Sequence, residues 1–115
     1  MSKAALFVFN GDPMCFIHVL LNALDLNQKG EESRIVVEGA ATKLVPALAE
    51  PTHPLHGLWN KVKAAGLVDG VCRACSEKMG TRKAAEDQNL PLLEDMNGHP
   101  AMAAYRKAGW QIITF

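Results

Sequence analysis

The apolar positions of the chain fall into short continuous runs separated by longer stretches with helical periodicity. Residues 4–9 form an apolar run without alternation, which predicts a strand covered on both faces, as in a parallel sheet. Residues 34–38, 67–72 and 110–115 are also apolar or rich in β-branched side chains and predict three further strands. A shorter run at 90–93 contains a proline, which favours a position at the edge of the sheet.

Amphipathic stretches fill the segments between these runs. After Asp12 and Pro13, an apolar stripe with helical spacing predicts a long helix that ends at Gly30. Further helices are predicted at residues 43–50, 54–65, 73–79, 82–87 and 99–109. The alternation predicts one α/β domain over residues 1–115, a three-layer α/β/α sandwich with a mainly parallel sheet of four to five strands. Such sheets bind ligands beyond the carboxyl ends of their strands.

Composition narrows the possible partners. The 115 residues are 49% hydrophobic and 21% charged, and 12 basic residues balance 12 acidic ones. A net charge of zero provides no broad cationic surface for nucleic acid and little electrostatic resistance to self-association. We find no apolar run of about 20 residues and no signal peptide, so we expect no membrane partner and a cytoplasmic location. An odd count of three cysteines fits a reducing compartment.

The best candidate for chemistry is the pair Cys72 and Cys75, where the third predicted strand meets a helix. The thiolate is the reactive form of cysteine, and a helix N-terminus together with Arg73 would stabilise it. We therefore expect a lowered pKa at Cys72. The spacing also lets the two sulfurs meet, so that one thiol can resolve an adduct formed on the other.

Other interpretations of the pair remain open. Both cysteines can be packed, unreactive side chains, because free cysteine is often buried. A structural zinc site needs four ligands, and His53, His56 and the distant Cys15 are the available ones, so we expect no metal. Thioredoxin-like redox chemistry also uses this spacing, but its motif normally follows an early strand.

Residues 71–80, with the sequence VCRACSEKMG, resemble the cysteine motif of the DsrE/DsrF-like family. In that motif a strand ends in a cysteine, often followed by a second at the third position after it, and then by a short helix and a glycine. The order of predicted strands and helices is compatible with the family over nearly the whole chain.

The resemblance implies a small α/β/α subunit that assembles into trimers or hexamers and carries sulfur as a persulfide, without a cofactor. Cys72 matches the sulfur-carrying position, and Cys75 matches the extra cysteine of some members. We expect a cytoplasmic sulfur-relay protein whose partners are a sulfur donor or acceptor protein. The alternatives are a non-catalytic subunit of the same fold that binds a small ligand or partner, and a thiol-disulfide redox protein.

Further ligand-binding candidates lie at the predicted strand ends and beside the cysteines: Asn10, Gly11, Asp12, Glu38, Gly39 and Arg73. The alternative for the first three is a turn and a helix cap, which the pair of Asp12 and Pro13 favours. His99 precedes a proline at a predicted helix start and is interpreted as a capping residue.

Overall fold

The computed structural model describes residues 2–115, which form five strands and six α-helices in alternating order. The strands are β1 (Lys3–Val8), β2 (Glu32–Val37), β3 (Val68–Cys72), β4 (Leu92–Leu93) and β5 (Gln111–Thr114). The helices are α1 (Pro13–Gln28), α2 (Leu44–Leu48), α3 (His56–Ala64), α4 (Arg73–Lys78), α5 (Arg82–Asp87) and α6 (Met102–Lys107), with a 3-10 helix at Gly39–Lys43. In this part of the chain no helix has the length and apolar composition needed to cross a bilayer.

One sheet organises the chain, with the strand order β4-β3-β2-β1-β5. Every neighbouring pair is parallel, so all carboxyl ends lie at one edge. Leu6 in β1 is level with Ile35 in β2 and with Ile113 in β5. The two-residue strand β4 lies at the outside, as its neighbouring proline predicts. The parallel sheet with helices on both faces confirms the three-layer α/β/α fold.

The two faces of the sheet carry cores of different size. Leu6 faces the larger one, where Phe16 of α1 and Trp59 of α3 are fully buried with ring centroids 6.0 Å apart. Phe7 faces the smaller one and meets the ring of Tyr105 in α6 edge-on at 5.2 Å. Successive residues of β1 thus enter opposite layers, which explains why its sequence is apolar without alternation.

The last helix begins later than its sequence predicts. It was expected from residue 99, but α6 starts at Met102, and residues 94–101 form a folded segment that we call the His99 loop. His99 exchanges two backbone hydrogen bonds with Met96, at 2.7 and 2.9 Å, and the Asp95 carboxylate accepts the N–H of Ala101 at 3.1 Å. The bridge to Met96 engages the N–H and the carbonyl of His99, so the predicted helix exists but its predicted start at residue 99 was wrong.

Candidate functional site

Four side chains from different parts of the chain meet at the carboxyl edge of the sheet. Glu38 follows β2, Cys72 ends β3, Cys75 lies in the first turn of α4, and His99 comes from the His99 loop. One donor atom from each residue lies within 4.8 Å of a donor atom of every other. We call these four residues the strand-end cluster.

The register of the sheet brings two members of the cluster together. Val37 in β2 is level with Val71 in β3, so the residues that follow them, Glu38 and Cys72, leave the sheet side by side. Both side chains are buried, with 7% of Glu38 and none of Cys72 exposed. Helices cover both faces of this sheet, so residues of separate strands become available to a ligand at its carboxyl edge.

The contacts of the cluster converge on one atom, Nδ1 of His99. The Sγ atom of Cys72 lies 3.1 Å from it, the Sγ atom of Cys75 3.7 Å, and Oε1 of Glu38 3.8 Å. The sulfur of Cys72 also accepts the backbone N–H of Cys75 at 3.4 Å. All three cysteines of the chain are free thiols, so the pair is in its reduced form.

The His99 loop is attached closely to the start of α4. The N–H of Ala74 donates to the carbonyl of Gly98 at 2.8 Å, and Nη1 of Arg73 lies 2.8 Å from Oε1 of Glu94. Gly98 has a φ of 91°, and a Cβ atom at this position would lie 3.2 Å from the Cβ atom of Ala74. A glycine is therefore required both for the backbone conformation and for the close approach that places His99.

The electrostatics of the cluster differ from the sequence-based expectation. Burial raises the pKa of the Cys72 thiol to about 12, and the neighbouring Cys75 and Glu38 add to the rise. Burial also raises the pKa of Glu38, although its contacts with Cys72 and His99 oppose the change. The predicted lowering of the Cys72 pKa was wrong, because the N–H of Cys75 does not compensate for the loss of hydration.

A cavity of about 510 Å³ opens beside the cluster. Its polar side chains are Glu38 and His99, and 41% of the histidine side chain is exposed. Its remaining lining is apolar: Phe9, Met96, Pro100, Ala101, Met102 and Ala103. A small or partly apolar molecule can therefore reach the histidine from solvent.

The turn after β1 is built differently. The Oδ1 atom of Asn10 accepts the N–H of Asp12 at 2.8 Å, and Oδ1 of Asp12 accepts the N–H of Met14 at 2.9 Å, which caps α1. Gly11 passes so close to the next segment that a Cβ atom would lie 2.8 Å from the carbonyl oxygen of Ala40. Within residues 2–115 no hydrogen bond joins this turn to the cluster, so the interpretation as a turn and cap is the better one.

Arg73 and Gly39 adjoin the cluster without joining it. The guanidinium of Arg73 pairs with Glu77 at 3.2 Å and with Glu94 at 2.8 Å, so carboxylates outside the cluster neutralise it. Gly39 opens the 3-10 helix, where its carbonyl accepts the hydroxyl of Thr42 at 2.8 Å. Of the strand-end candidates, Glu38 is the one that contacts the cysteines.

Sequence reasoning missed His99 as a member of the site. It considered His53 and His56, but Nδ1 of His53 accepts the N–H of Leu55 at 3.0 Å, and Nδ1 of His56 lies 2.9 Å from the carbonyl of Leu48. The available signal was a cysteine pair, a strand-end carboxylate and a histidine near a proline. That signal does not specify how the His99 loop folds.

Comparison with known proteins connects the chain to archaeal relatives. It is 33% identical over 97 residues to uncharacterized protein MJ0733 of Methanocaldococcus jannaschii, an alignment that covers 84% of this chain and 77% of that protein. The chain belongs to the family of this archaeal protein. A second relative, an uncharacterized protein of Archaeoglobus fulgidus, is 42% identical over 48 residues, which are 42% of this chain and 79% of that protein. No protein-family model matches the sequence.

The fold also occurs in a solved bacterial structure. The conserved protein of unknown function BT1422 from Bacteroides thetaiotaomicron superimposes with a TM-score of 0.72 over 99% of this chain and 95% of that one. The two sequences are 17% identical, so the likeness concerns the fold alone.

Proposed function

We propose that the protein is a sulfur carrier in which the thiols of Cys72 and Cys75 accept sulfur as a persulfide and pass it on. The observation that carries this proposal is the pair of free thiols at 3.1 and 3.7 Å from Nδ1 of His99. A thiol reacts after losing its proton, and imidazole is the side chain best suited to take a proton near neutral pH. The resemblance of residues 71–80 to the DsrE/DsrF-like motif points to the same chemistry.

The two thiols have different access to solvent, and this difference supports different roles for them. Cys75 is half-buried, whereas Cys72 is enclosed. We assign the first reaction to Cys75, which reverses the roles expected from the sequence. Its thiolate attacks the outer sulfur of a donor persulfide, the S–S bond of the donor breaks, and the donor leaves as a thiol with the proton that His99 received. The product is a persulfide on Cys75.

Delivery of the sulfur uses the same exchange in reverse. The thiolate of an acceptor attacks the outer sulfur on Cys75, and Cys75 leaves as the thiol. Without an acceptor, Cys72 attacks the inner sulfur, which releases hydrogen sulfide and leaves a disulfide between Cys72 and Cys75. The two thiols then supply the two electrons that reduce the carried sulfur, and a reductant such as glutathione restores them.

Assembly and location follow from the same resemblance. We propose a cytoplasmic homo-oligomer, a trimer or hexamer, that exchanges sulfur with a donor or acceptor protein. Its zero net charge gives little repulsion between copies. Light scattering of the purified chain at micromolar concentration should give three or six times the monomer mass, and a monomer mass would contradict the assembly.

The test of sulfur transfer is persulfide loading followed by mass analysis. The chain is first treated with a chelator, which leaves its thiols free of metal, and is then incubated with glutathione persulfide. It is alkylated and digested, and the masses of the peptides that contain the three cysteines are measured. The Cys75 peptide should gain one sulfur atom. Cys75→Ser should abolish this gain, whereas Cys72→Ser should keep it and lose the release of hydrogen sulfide.

Cys15→Ser is the matched control, because Cys15 lies in α1 outside the cluster, and this variant should load like the wild-type chain. Loading that moves to Cys72 in Cys75→Ser would contradict the role assigned to Cys75. Loading that is absent from both Cys72 and Cys75, or that occurs equally at Cys15, would contradict the sulfur-carrier function. The cavity beside His99 would then favour the non-catalytic, small-ligand-binding subunit. A disulfide that cycles at a physiological potential without any persulfide would instead favour the redox protein.

A further inference from the structure

Proton transfer from one thiol to His99 accounts for only part of the geometry of the strand-end cluster. In a catalytic triad the nucleophile and the carboxylate contact opposite ring nitrogens, so that the carboxylate orients the ring. Here Cys72, Cys75 and Glu38 all face Nδ1 of His99. One ring nitrogen carries at most one proton and cannot serve three partners at once. Four donor atoms that lie within 4.8 Å of one another can instead surround a single ion.

We propose that the cluster binds a zinc ion through Sγ of Cys72, Sγ of Cys75, Nδ1 of His99 and one carboxylate oxygen of Glu38. Sulfur, nitrogen and oxygen donors are those that zinc takes in proteins, usually four in a tetrahedron, and two cysteines separated by two residues are a common part of such sites. Magnesium and calcium prefer shells made of oxygen alone, so two thiols select against them.

The observed distances lie close to those of a tetrahedral zinc shell. Bond lengths of about 2.3 Å to sulfur and about 2.0 Å to nitrogen or oxygen separate S from N by about 3.5 Å and N from O by about 3.3 Å. The observed S–N distances are 3.1 and 3.7 Å, and the distance from Nδ1 of His99 to Oε1 of Glu38 is 3.8 Å. The remaining pairs of donor atoms lie within 4.8 Å of one another, against about 3.5–3.8 Å in the shell, so shifts of up to about 1 Å complete it.

The charges of the cluster also call for a cation. Glu38 and Cys72 are buried next to each other, and the nearest arginine, Arg73, is paired with Glu77 and Glu94 instead. Among residues 2–115 the ion-pair partner of Glu38 is His99. Zinc binding releases the protons of its thiol ligands. The two positive charges of zinc balance the two thiolates.

Zinc content and cobalt spectroscopy of the full chain test this proposal. The chelator-treated chain is equilibrated with zinc sulfate, and the bound metal is measured after gel filtration. One zinc ion per chain should remain. Cobalt in place of zinc should give the intense thiolate charge-transfer absorption and the visible bands of tetrahedral cobalt. No sulfur donor is present, so this result does not depend on the sulfur-carrier function.

Variants locate the site. Cys72→Ser and Cys75→Ser should each weaken zinc binding by more than about a hundredfold, because changes in residues that only contact metal ligands already cost about 10–100-fold. His99→Ala should cost a similar factor, and Glu38→Gln about tenfold. Cys15→Ser and His18→Gln are the matched controls and should bind like the wild-type chain.

A wild-type measurement guards against variants that fail to fold. Zinc should protect Cys75, the more accessible of the two cysteine ligands, but not Cys15, from iodoacetamide, as read from the masses of their peptides. Equal protection of Cys15, an absence of protection, or zinc that remains bound after both Cys72→Ser and Cys75→Ser are introduced would each overturn the proposal. Zinc binding without thiolate absorption from cobalt would overturn it as well.

Discussion

Two turns lie at the same edge of the sheet, residues 10–12 after β1 and residues 72–75 after β3. Their side chains differ in how far away along the chain their bonding partners lie. The first satisfies its polar groups locally, since Asn10 and Asp12 bond to N–H groups two residues away. The second bonds over long range, because Cys72 meets His99, 27 residues further along the chain. A strand end in a parallel sheet is thus a place where a site can form. The site itself requires distant segments that converge there.

The largest expected effect is on the rate of thiol labelling, which should differ between buried and accessible cysteines. In the metal-free native chain, iodoacetamide should modify Cys72 at least about a hundredfold more slowly than in the urea-unfolded chain. A pKa of about 12 leaves far less thiolate at neutral pH than the ordinary value of about 8.5, and burial blocks the reagent as well. Peptide mass analysis over time gives both rates. Cys75 should react faster than Cys72 in the native chain, and a rapidly labelled Cys72 would contradict the described burial.

Gly98→Ala should move His99 away from the cysteines of the second turn. The new methyl group meets Ala74, and the positive φ of 91° is strained for alanine, so the His99 loop must move. Zinc affinity should fall at least about tenfold, as for other changes that misplace a metal ligand. Isothermal titration with zinc measures the change.

Gly30→Ala is the control that isolates backbone strain. Gly30 has a comparable φ of 83°, but a Cβ atom there would have no neighbour within 4 Å. Both glycine variants should lose about 1–2 kcal/mol of unfolding free energy from the strained conformation. Zinc affinity should fall in Gly98→Ala alone, and an equal loss in both variants would show that the His99 loop does not position the ligand.

Asp12→Ala tests the first turn as a purely structural element. Loss of the helix cap should lower the unfolding free energy by about 1 kcal/mol. Urea denaturation measures this loss, while persulfide loading and zinc affinity should stay at wild-type values. A variant that folds normally but no longer loads sulfur would give the first turn a chemical role after all.

Arg73→Gln should have the smallest effect. Arg73 joins α4 to the His99 loop through Glu94, but the pair is exposed to solvent, and exposed ion pairs contribute little. Zinc affinity should change by less than about fivefold. The residual effect should shrink further in high salt, because salt screens exposed charges. A salt-independent loss would instead assign Arg73 a direct role at the cluster.

The strands and their parallel arrangement were predictable because the residues of each strand indicate whether it is buried on one face or on both. Residues 34–38, for example, read as a buried strand from their β-branched side chains alone, and β2 covers Glu32–Val37. The position of Cys72 at a strand end followed in the same way. Secondary structure of this kind depends on neighbouring residues, which a single sequence contains.

The membership of His99 was not predictable, because it depends on the folded form of the His99 loop. The sequence from residue 99 has helical periodicity, and only the backbone bridge to Met96 shows that the helix starts later. The raised pKa of Cys72 was not predicted for a related reason. A helix start can be recognised locally, whereas burial depends on all segments that cover the sulfur.

The close approach of Gly11 to Ala40 links the first turn to the segment that carries Glu38. The carbonyl oxygen of Ala40 would lie 2.8 Å from any Cβ atom at position 11, and Ala40 is two residues beyond Glu38. A side chain at Gly11 would push the 3-10 helix away from β1 and pull on the peptide that anchors the buried carboxylate. The absence of a side chain at position 11 therefore lets the first turn pack against the segment that follows Glu38 without displacing it.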